Sequence, residues 1–374
     1  MDFSCSDEQT AIAELARQIF SDKATPERMT ALEKGDGPRF DPELWSEVGK
    51  AGLLGIAVPE VHGGAQMGFL ELALIIEQVG VAVAPIPYLE TVVMGALPIA
   101  KFGSDAQKND ILPRVASGDI ILTAALVEDG ADPNKPETRV REVGGGLELS
   151  GTKICVPAGD LADCILVPAR NDQGQTGVFL VDPNSEGCTV ISLDTTSDQP
   201  EAQIELDGVK LGGESQLGSF DNGEAILTFV TEHTNAALCS LALGVCEEAL
   251  RLTGEYAKSR EQFGQAIATF QAVGQRAADA FIDTEAIRLT SWQAAWRLSE
   301  GLPAASQIAT AKVFASEAGH RVVHAATHIH GGMGVDKDYP LFRHFTYARQ
   351  LGLTLGGPNA HLIQLGQMLA AGTA

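Results

Sequence analysis

Apolar positions along this chain recur with two different periods, and the switch between them divides it into three segments. Over residues 1–116 the pattern predicts helices. Ser6 with Gln9 makes a capping box ahead of Ile12, Leu15 and Ile19, which step by four and three. Asp41 before Pro42 offers a side-chain acceptor at N-cap and a proline at N1, opening a second helix through Leu44 and Trp45. Gly63 and Gly64 then break the chain before the apolar run from Leu70 to Val79.

Over residues 117–213 the texture turns to short β runs. Ile120 to Leu122, Cys164 to Val167 and Gly177 to Val181 are separated by Gly, Asp, Asn and Pro, the spacing of a small antiparallel barrel or sandwich. Gly144, Gly145 and Gly146 lie between strand-like runs and read as a hairpin turn. They open no helix, so they are no dinucleotide fingerprint. The polar stretch 212–222 reads as a linker.

The third segment, 214–374, returns to helical stripes. Leu238, Leu241, Val245, Ala249, Leu252 and Tyr256 form one; Val273, Ala277, Ala280, Thr284 and Ile287 a second. Ile308, Ala311, Ala315, Ala318, Val322, Ala325 and Ile329 form a third, its alanines suited to close helix approach. With a last helix after Pro358 these predict an antiparallel four-helix bundle. The fold class is thus mainly α with a small central β domain.

Composition narrows the functions open to such a fold. Lys plus Arg number 26 against 49 Asp plus Glu, a net charge of −23 that repels nucleic-acid phosphates and anionic membranes. No apolar run reaches the roughly 18–20 residues of a membrane span, and the start shows no basic, then apolar, leader pattern. The six cysteines form no CxxC pair and suit reduced thiols in a cytoplasmic protein. Any polyanionic ligand needs local basic residues or a second chain.

The motifs sharpen this outline. Tyr256, Arg260, Gln262, Phe263, Gly264, Ile267, Phe270 and Gln271 follow the order Y-x3-R-x-Q-F-G-x-x-I-x-x-F-Q. His328, Gly331, Gly332 and Gly334 occupy a Q-x-x-G-G-x-G pattern with histidine at its first position, and Gly52 to Glu60 with Gly63-Gly64 forms an N-terminal signature. Taken singly, the arginine reads as a helix-end cation and the glycines as a C-cap. Together, and over nearly the whole chain, they resemble the acyl-CoA dehydrogenase family. The resemblance implies flavin adenine dinucleotide (FAD), an acyl-CoA substrate and an electron-transfer flavoprotein as acceptor. It also implies that the R-x-Q-F-G segment of one subunit reaches the adenosine-pyrophosphate half of a neighbour's FAD. Arg260 would then fork onto pyrophosphate oxygens, and Phe263 and Ile267 would face the adenine. Gln262, Phe270, Gln271 and His328 complete the contacts, with Gly331, Gly332 and Gly334 letting backbone approach the phosphates.

The chain also departs from that pattern. Family members carry a glutamate base at one of two places; counting along the motifs lands on Leu355 and on Thr234, neither able to take a proton at neutral pH. Glu232 is about 200° around a helix from Thr234, and Glu247 and Glu248 lie more than three turns farther on. The flavin-ring loop, residues 127–134, lacks the family's hydroxyl donors. In the strand from Lys153 to Pro157 the aromatic is gone and a proline stands at its end. With Pro85, Pro87 and Tyr88, and the match at Gln271, Gln275 and Arg276, this resembles the baseless subunit of α2β2 acyl-CoA dehydrogenases of bacterial steroid side-chain degradation. Such a chain would complete the FAD site of a paralogous, glutamate-bearing subunit that binds most of the acyl-CoA. The alternatives are a self-sufficient homotetramer with a displaced base and a non-enzymatic scaffold. His320, His324 and His328 share one helix face, a spacing open to zinc or to a polar interface; Trp292 and Trp296 read as core or interface anchors.

Overall fold

A computed structural model describes residues 3–373 of the chain. In chain order the first helices are α1 (Asp7–Lys23), α2 (Pro26–Glu33), α3 (Pro42–Lys50) and α4 (Phe69–Ala82). A π-helical turn (Glu90–Ala96) runs into α5 (Leu97–Phe102), followed by α6 (Asp105–Ser117). The strands are β1 (Leu122–Ala124), β2 (Arg139–Val143), β3 (Gly146–Pro157), β4 (Cys164–Arg170), β5 (Thr176–Val181), β6 (Cys188–Leu193), β7 (Glu201–Leu211) and β8 (Gln216–Leu217). Next come α7 (Gly223–Ser259), a two-strand ribbon of β9 (Glu261–Gln262) and β10 (Gln265–Ala266), α8 (Gln271–Ser299), α9 (Ala305–His330), α10 (Leu341–Leu353) and α11 (Pro358–Ala371).

The predicted caps form. Ser6 Oγ accepts the Gln9 N–H at 3.2 Å while Gln9 Oε1 accepts the Ser6 N–H at 2.9 Å, starting α1. The Asp41 carboxylate accepts the Glu43 and Leu44 N–H groups at 3.0 and 3.1 Å, starting α3. Each bond removes one orphan donor from a helix end.

By packing, the chain divides into two compact units. One holds the described residues up to Ala31, Phe69–Ala84 and everything from Asn235 on; the other holds Leu32–Gly68 and Pro85–Thr234. In the first, α9 packs against α8, α10 and α11, and α4 against α1 and α8. Here α4 and α7 touch backbone to backbone. A Cβ on Gly80 would lie 2.2 Å from the Leu241 carbonyl oxygen, and one on Gly244 only 1.9 Å from that of Glu77. The sequence reading missed α10. Its buried positions include Arg343, His344 and Thr346, so polar side chains interrupt the apolar stripe that would have revealed it.

In the second unit the sheet runs β6-β7-β3-β2-β4-β5-β8, with β1 beside β4. Pairing is antiparallel apart from β1 and β2, which meet β4 in parallel. The glycine hairpin joins β2 to β3 as expected. Phe179, Val167, Ile165, Leu149 and Ile204 anchor the core. The presumed linker is structured: Leu217 pairs with Val178, and Phe220 packs edge-on against Phe179 at 6.0 Å. Its flanking glycines and polar residues hid two short elements.

Candidate functional site

The adenosine-side motif begins where α7 ends. The Arg260 N–H still bonds to the Tyr256 carbonyl at 2.8 Å, and the Arg260 carbonyl accepts the Ile267 N–H at 2.8 Å, closing the base of the β9–β10 ribbon. Its two-residue loop is Phe263 and Gly264, at φ 53° and 79°. Both central residues at positive φ make the type I′ arrangement, which favours Asn-Gly over any bulky residue. Phe263 is nonetheless 95% exposed and meets Phe270 edge-on at 6.2 Å. Arg260, Gln262 and Gln271 are exposed, Ile267 and Phe270 half-buried, and Arg260 makes no ion pair among the described residues.

The glycine turn follows α9. His328 is exposed on the last helical turn, whereas His330, two residues on, is buried. Gly331 sits at φ 62°, and a Cβ on Gly331 or Gly332 would meet nothing within 4 Å, so their backbone is open to a ligand. Gly334 faces inward: its Cβ would lie 2.7 Å from the Thr327 carbonyl oxygen. A free guanidinium, an exposed aromatic and open glycine backbone fit the adenosine-pyrophosphate half of FAD.

The ring-side residues do not fit. The Glu128 carboxylate turns inward to bond the buried Lys153 ammonium, the Thr138 N–H and hydroxyl, and the Glu137 N–H. Burial alone would raise Glu128, but the Lys153 charge and these donors hold it below the usual carboxylate range. Burial lowers Lys153, partly offset by Glu128. Asn134 spends its side-chain oxygen on the Thr231 hydroxyl at 3.1 Å, leaving Asp129 and Asp132 exposed on the loop. Along β3 the register slips between Lys153 and Val156, with Cys155 at φ 48°. Pro157 ends the strand without an N–H to offer.

At the two base positions the structure offers no carboxylate. Thr234 is buried in α7 with its hydroxyl unpartnered among the described residues. Leu355 lies between α10 and α11 at φ 54°. Lys312 Nζ donates to the Leu351 carbonyl at 2.6 Å, just before this turn. Burial pulls Lys312 down to about 8. Burial also raises Glu232, which is half-buried on α7.

One carboxyl escaped the sequence reading. Burial pushes Glu90 up to about 7, with the Glu201 charge adding to the shift. The π-helical turn shifts Glu90 off any 3.6-residue stripe; its one sequence signal is the preceding Pro85 and Pro87. Trp292 is half-buried and donates to Glu77 at 3.2 Å. His320 and His324 meet edge-on at 5.9 Å, and the described residues hold no metal-competent cluster. Among the described residues no helix is long and apolar enough to cross a membrane.

Comparison with known proteins bears on the same segments. The acyl-CoA dehydrogenase N-terminal domain matches residues 6–119 and the acyl-CoA dehydrogenase C-terminal domain residues 222–369. The chain is 40% identical over 378 residues to the acyl-CoA dehydrogenase FadE27 of Mycobacterium tuberculosis, covering 99% of both. It superposes with TM-score 0.93 on a chain of the ChsE4–ChsE5 complex of the same organism, at 40% identity and 99% coverage of each. A Tcur3481–Tcur3483 steroid ACAD variant gives TM-score 0.91 at 40% identity, with 98% of each chain covered. The chain belongs to the acyl-CoA dehydrogenase family of FAD-dependent oxidoreductases.

Proposed function

We propose that this chain is the baseless subunit of a heterotetrameric acyl-CoA dehydrogenase acting on a steroid side-chain CoA thioester. It completes the FAD site of a paralogous, glutamate-bearing partner. The observation that carries this reading is the pairing of Leu355 and Thr234 at the base positions with an exposed, unpaired Arg260 beside an exposed Phe263. FAD, when bound, would supply the acceptor for the β-hydride of the thioester. This chain's residues would clasp the cofactor's far end: Arg260 would neutralise pyrophosphate charge, Phe263 and Ile267 would cover the adenine, Gln262, Phe270, Gln271 and His328 would line the clasp, and Gly331, Gly332 and Gly334 would admit the phosphates. The partner supplies the base and holds most of the acyl-CoA, and an electron-transfer flavoprotein reoxidises the assembly. The likeness to chains of the ChsE4–ChsE5 complex and of a steroid ACAD supports both the heteromer and the steroid substrate. A division at 116/117 and 213/214 belongs to this proposal, supported by α6 ending at Ser117 and α7 beginning at Gly223.

The test is coexpression with a glutamate-bearing paralogue. The expected result is a colourless chain alone and a yellow, active heteromer with fewer flavins than chains. A yellow single chain that desaturates a thioester unaided refutes the proposal.

Glu90 favours a second reading, a self-sufficient enzyme with a displaced base. Burial raises its carboxyl to about 7, the range a general base needs. Glu90→Gln in a chain active by itself would then abolish turnover; a single chain with no turnover to lose removes this reading.

A further inference from the structure

His330 sits where two motifs meet inside the first compact unit. It is 3% exposed, the last residue of α9 and the residue before Gly331. On one side its ring stacks on Tyr256 in the last turn of α7, with centroids 4.3 Å apart and planes 24° from parallel. On the other lies Tyr339, at 5.3 Å. The hydrogen bonds assign the tautomer. Nδ1–H donates to the Ala326 carbonyl at 2.8 Å, which leaves Nε2 to accept the Tyr339 hydroxyl at 3.3 Å. Tyr256 also receives the Arg260 N–H on its carbonyl. A single imidazole therefore ties the helix end that launches the Arg260 ribbon to the start of the glycine turn.

We propose that His330 is a positioning residue which, through Tyr256 and Tyr339, holds the Arg260 ribbon and the Gly331–Gly334 turn in one geometry for the adenosine half of FAD. This rests on the reading of Arg260 and the glycines as cofactor residues. The clasp is intact only while Nε2 is unprotonated. Burial lowers His330, the Ala326 bond partly offsetting it. Its contribution is therefore complete above the unfolded histidine value, about 6.5, and is lost as pH falls through the folded one. Facing this pair are Glu255, Arg251 and Tyr256 from α7 and Tyr339 from the segment after the glycine turn.

The experiment follows FAD release from the intact heteromer by flavin fluorescence between pH 5 and pH 8. In the unmodified complex, release accelerates as pH falls through the folded His330 value, which burial places below the ordinary histidine range. His330→Phe keeps a ring between the two phenols and removes that acid-dependent phase. Tyr339→Phe deletes only the hydroxyl and raises release about fivefold at pH 8, the size of one neutral hydrogen bond. An acid-dependent phase that persists unchanged in His330→Phe overturns the inference, as does release from Tyr339→Phe equal to that of the unmodified complex. Arg260→Ala separates the two levels: it should raise release at every pH. If it does not, the cofactor-site reading itself falls and takes this inference with it.

Discussion

Phe263 combines two costs in one residue, and replacing it tests whether binding offsets them. At φ 53° a residue with a Cβ gives up about 1–2 kcal/mol relative to the right-handed region. Its ring is 95% exposed, so the free chain regains little from burial. Phe263→Asn creates an Asn-Gly pair, the favoured sequence for this turn. The strain falls by about 1 kcal/mol. The lost edge contact with Phe270 costs back about 0.5–1.5 kcal/mol. Net stability should therefore stay within about 1 kcal/mol of its starting value. Flavin binding should respond quite differently. Covering a phenylalanine ring is worth about 1.5–3 kcal/mol, so the FAD dissociation constant should rise about 10- to 100-fold. Urea unfolding of the heteromer gives the first quantity, and FAD titration of the flavin-free complex gives the second. If stability and flavin affinity fall together by equal amounts, Phe263 serves folding and the argument is wrong. Unchanged flavin affinity defeats it equally.

Three further outcomes follow from the packing. Lys153→Met strands the buried Glu128 carboxylate and should cost about 3 kcal/mol by urea unfolding, the low end for a broken buried pair because Thr138 and Glu137 still donate; adding Glu128→Gln, which removes the charge and keeps an acceptor for those donors, should restore most of it, and no recovery refutes the pairing. Burial, with the Glu247 charge, pushes Glu77 up to about 8. The folded state thus keeps a proton that the unfolded state has released above about 4.3. Stability from this group is complete below that value and drains away as pH rises through about 8; Glu77→Gln should flatten the alkaline decline, and an unchanged slope refutes the assignment. Gly244→Ala drives a methyl to 1.9 Å from the Glu77 carbonyl oxygen and should cost upwards of about 1–3 kcal/mol. Gly254→Ala on the same helix meets nothing within 4 Å and should gain about 0.5–1 kcal/mol; thermal unfolding that ranks the two alike would contradict the close crossing.

What could be read from the sequence was what depends on a few neighbouring residues. The caps at Ser6 and Asp41 and the hairpin at Gly144 are local chemistry, and the long stripes of α7 to α9 average over many turns. The residues that escaped owe their places to distant parts of the chain. Arg343 and His344 are buried on α10 because Thr30 and the Val81 carbonyl receive them. Glu90 is half-buried at the head of a π-helical turn, and His330 is buried between two tyrosines. The candidate site shows the same division. Its glycines and Arg260 stand out as a motif, but the strain at Phe263 depends on backbone torsion that Phe-Gly does not advertise. Leu355 at the expected base position was found by counting alone, and the structure adds why a leucine is tolerable there. The chain entering the turn at Leu355 is held by the Lys312 bond to the Leu351 carbonyl, a backbone contact indifferent to the side chain at 355. A carboxylate can therefore vanish from that turn without unfolding it. On the proposed reading, a chain without the base keeps its fold and the residues of its clasp, and a paralogue that retains the glutamate would carry the chemistry.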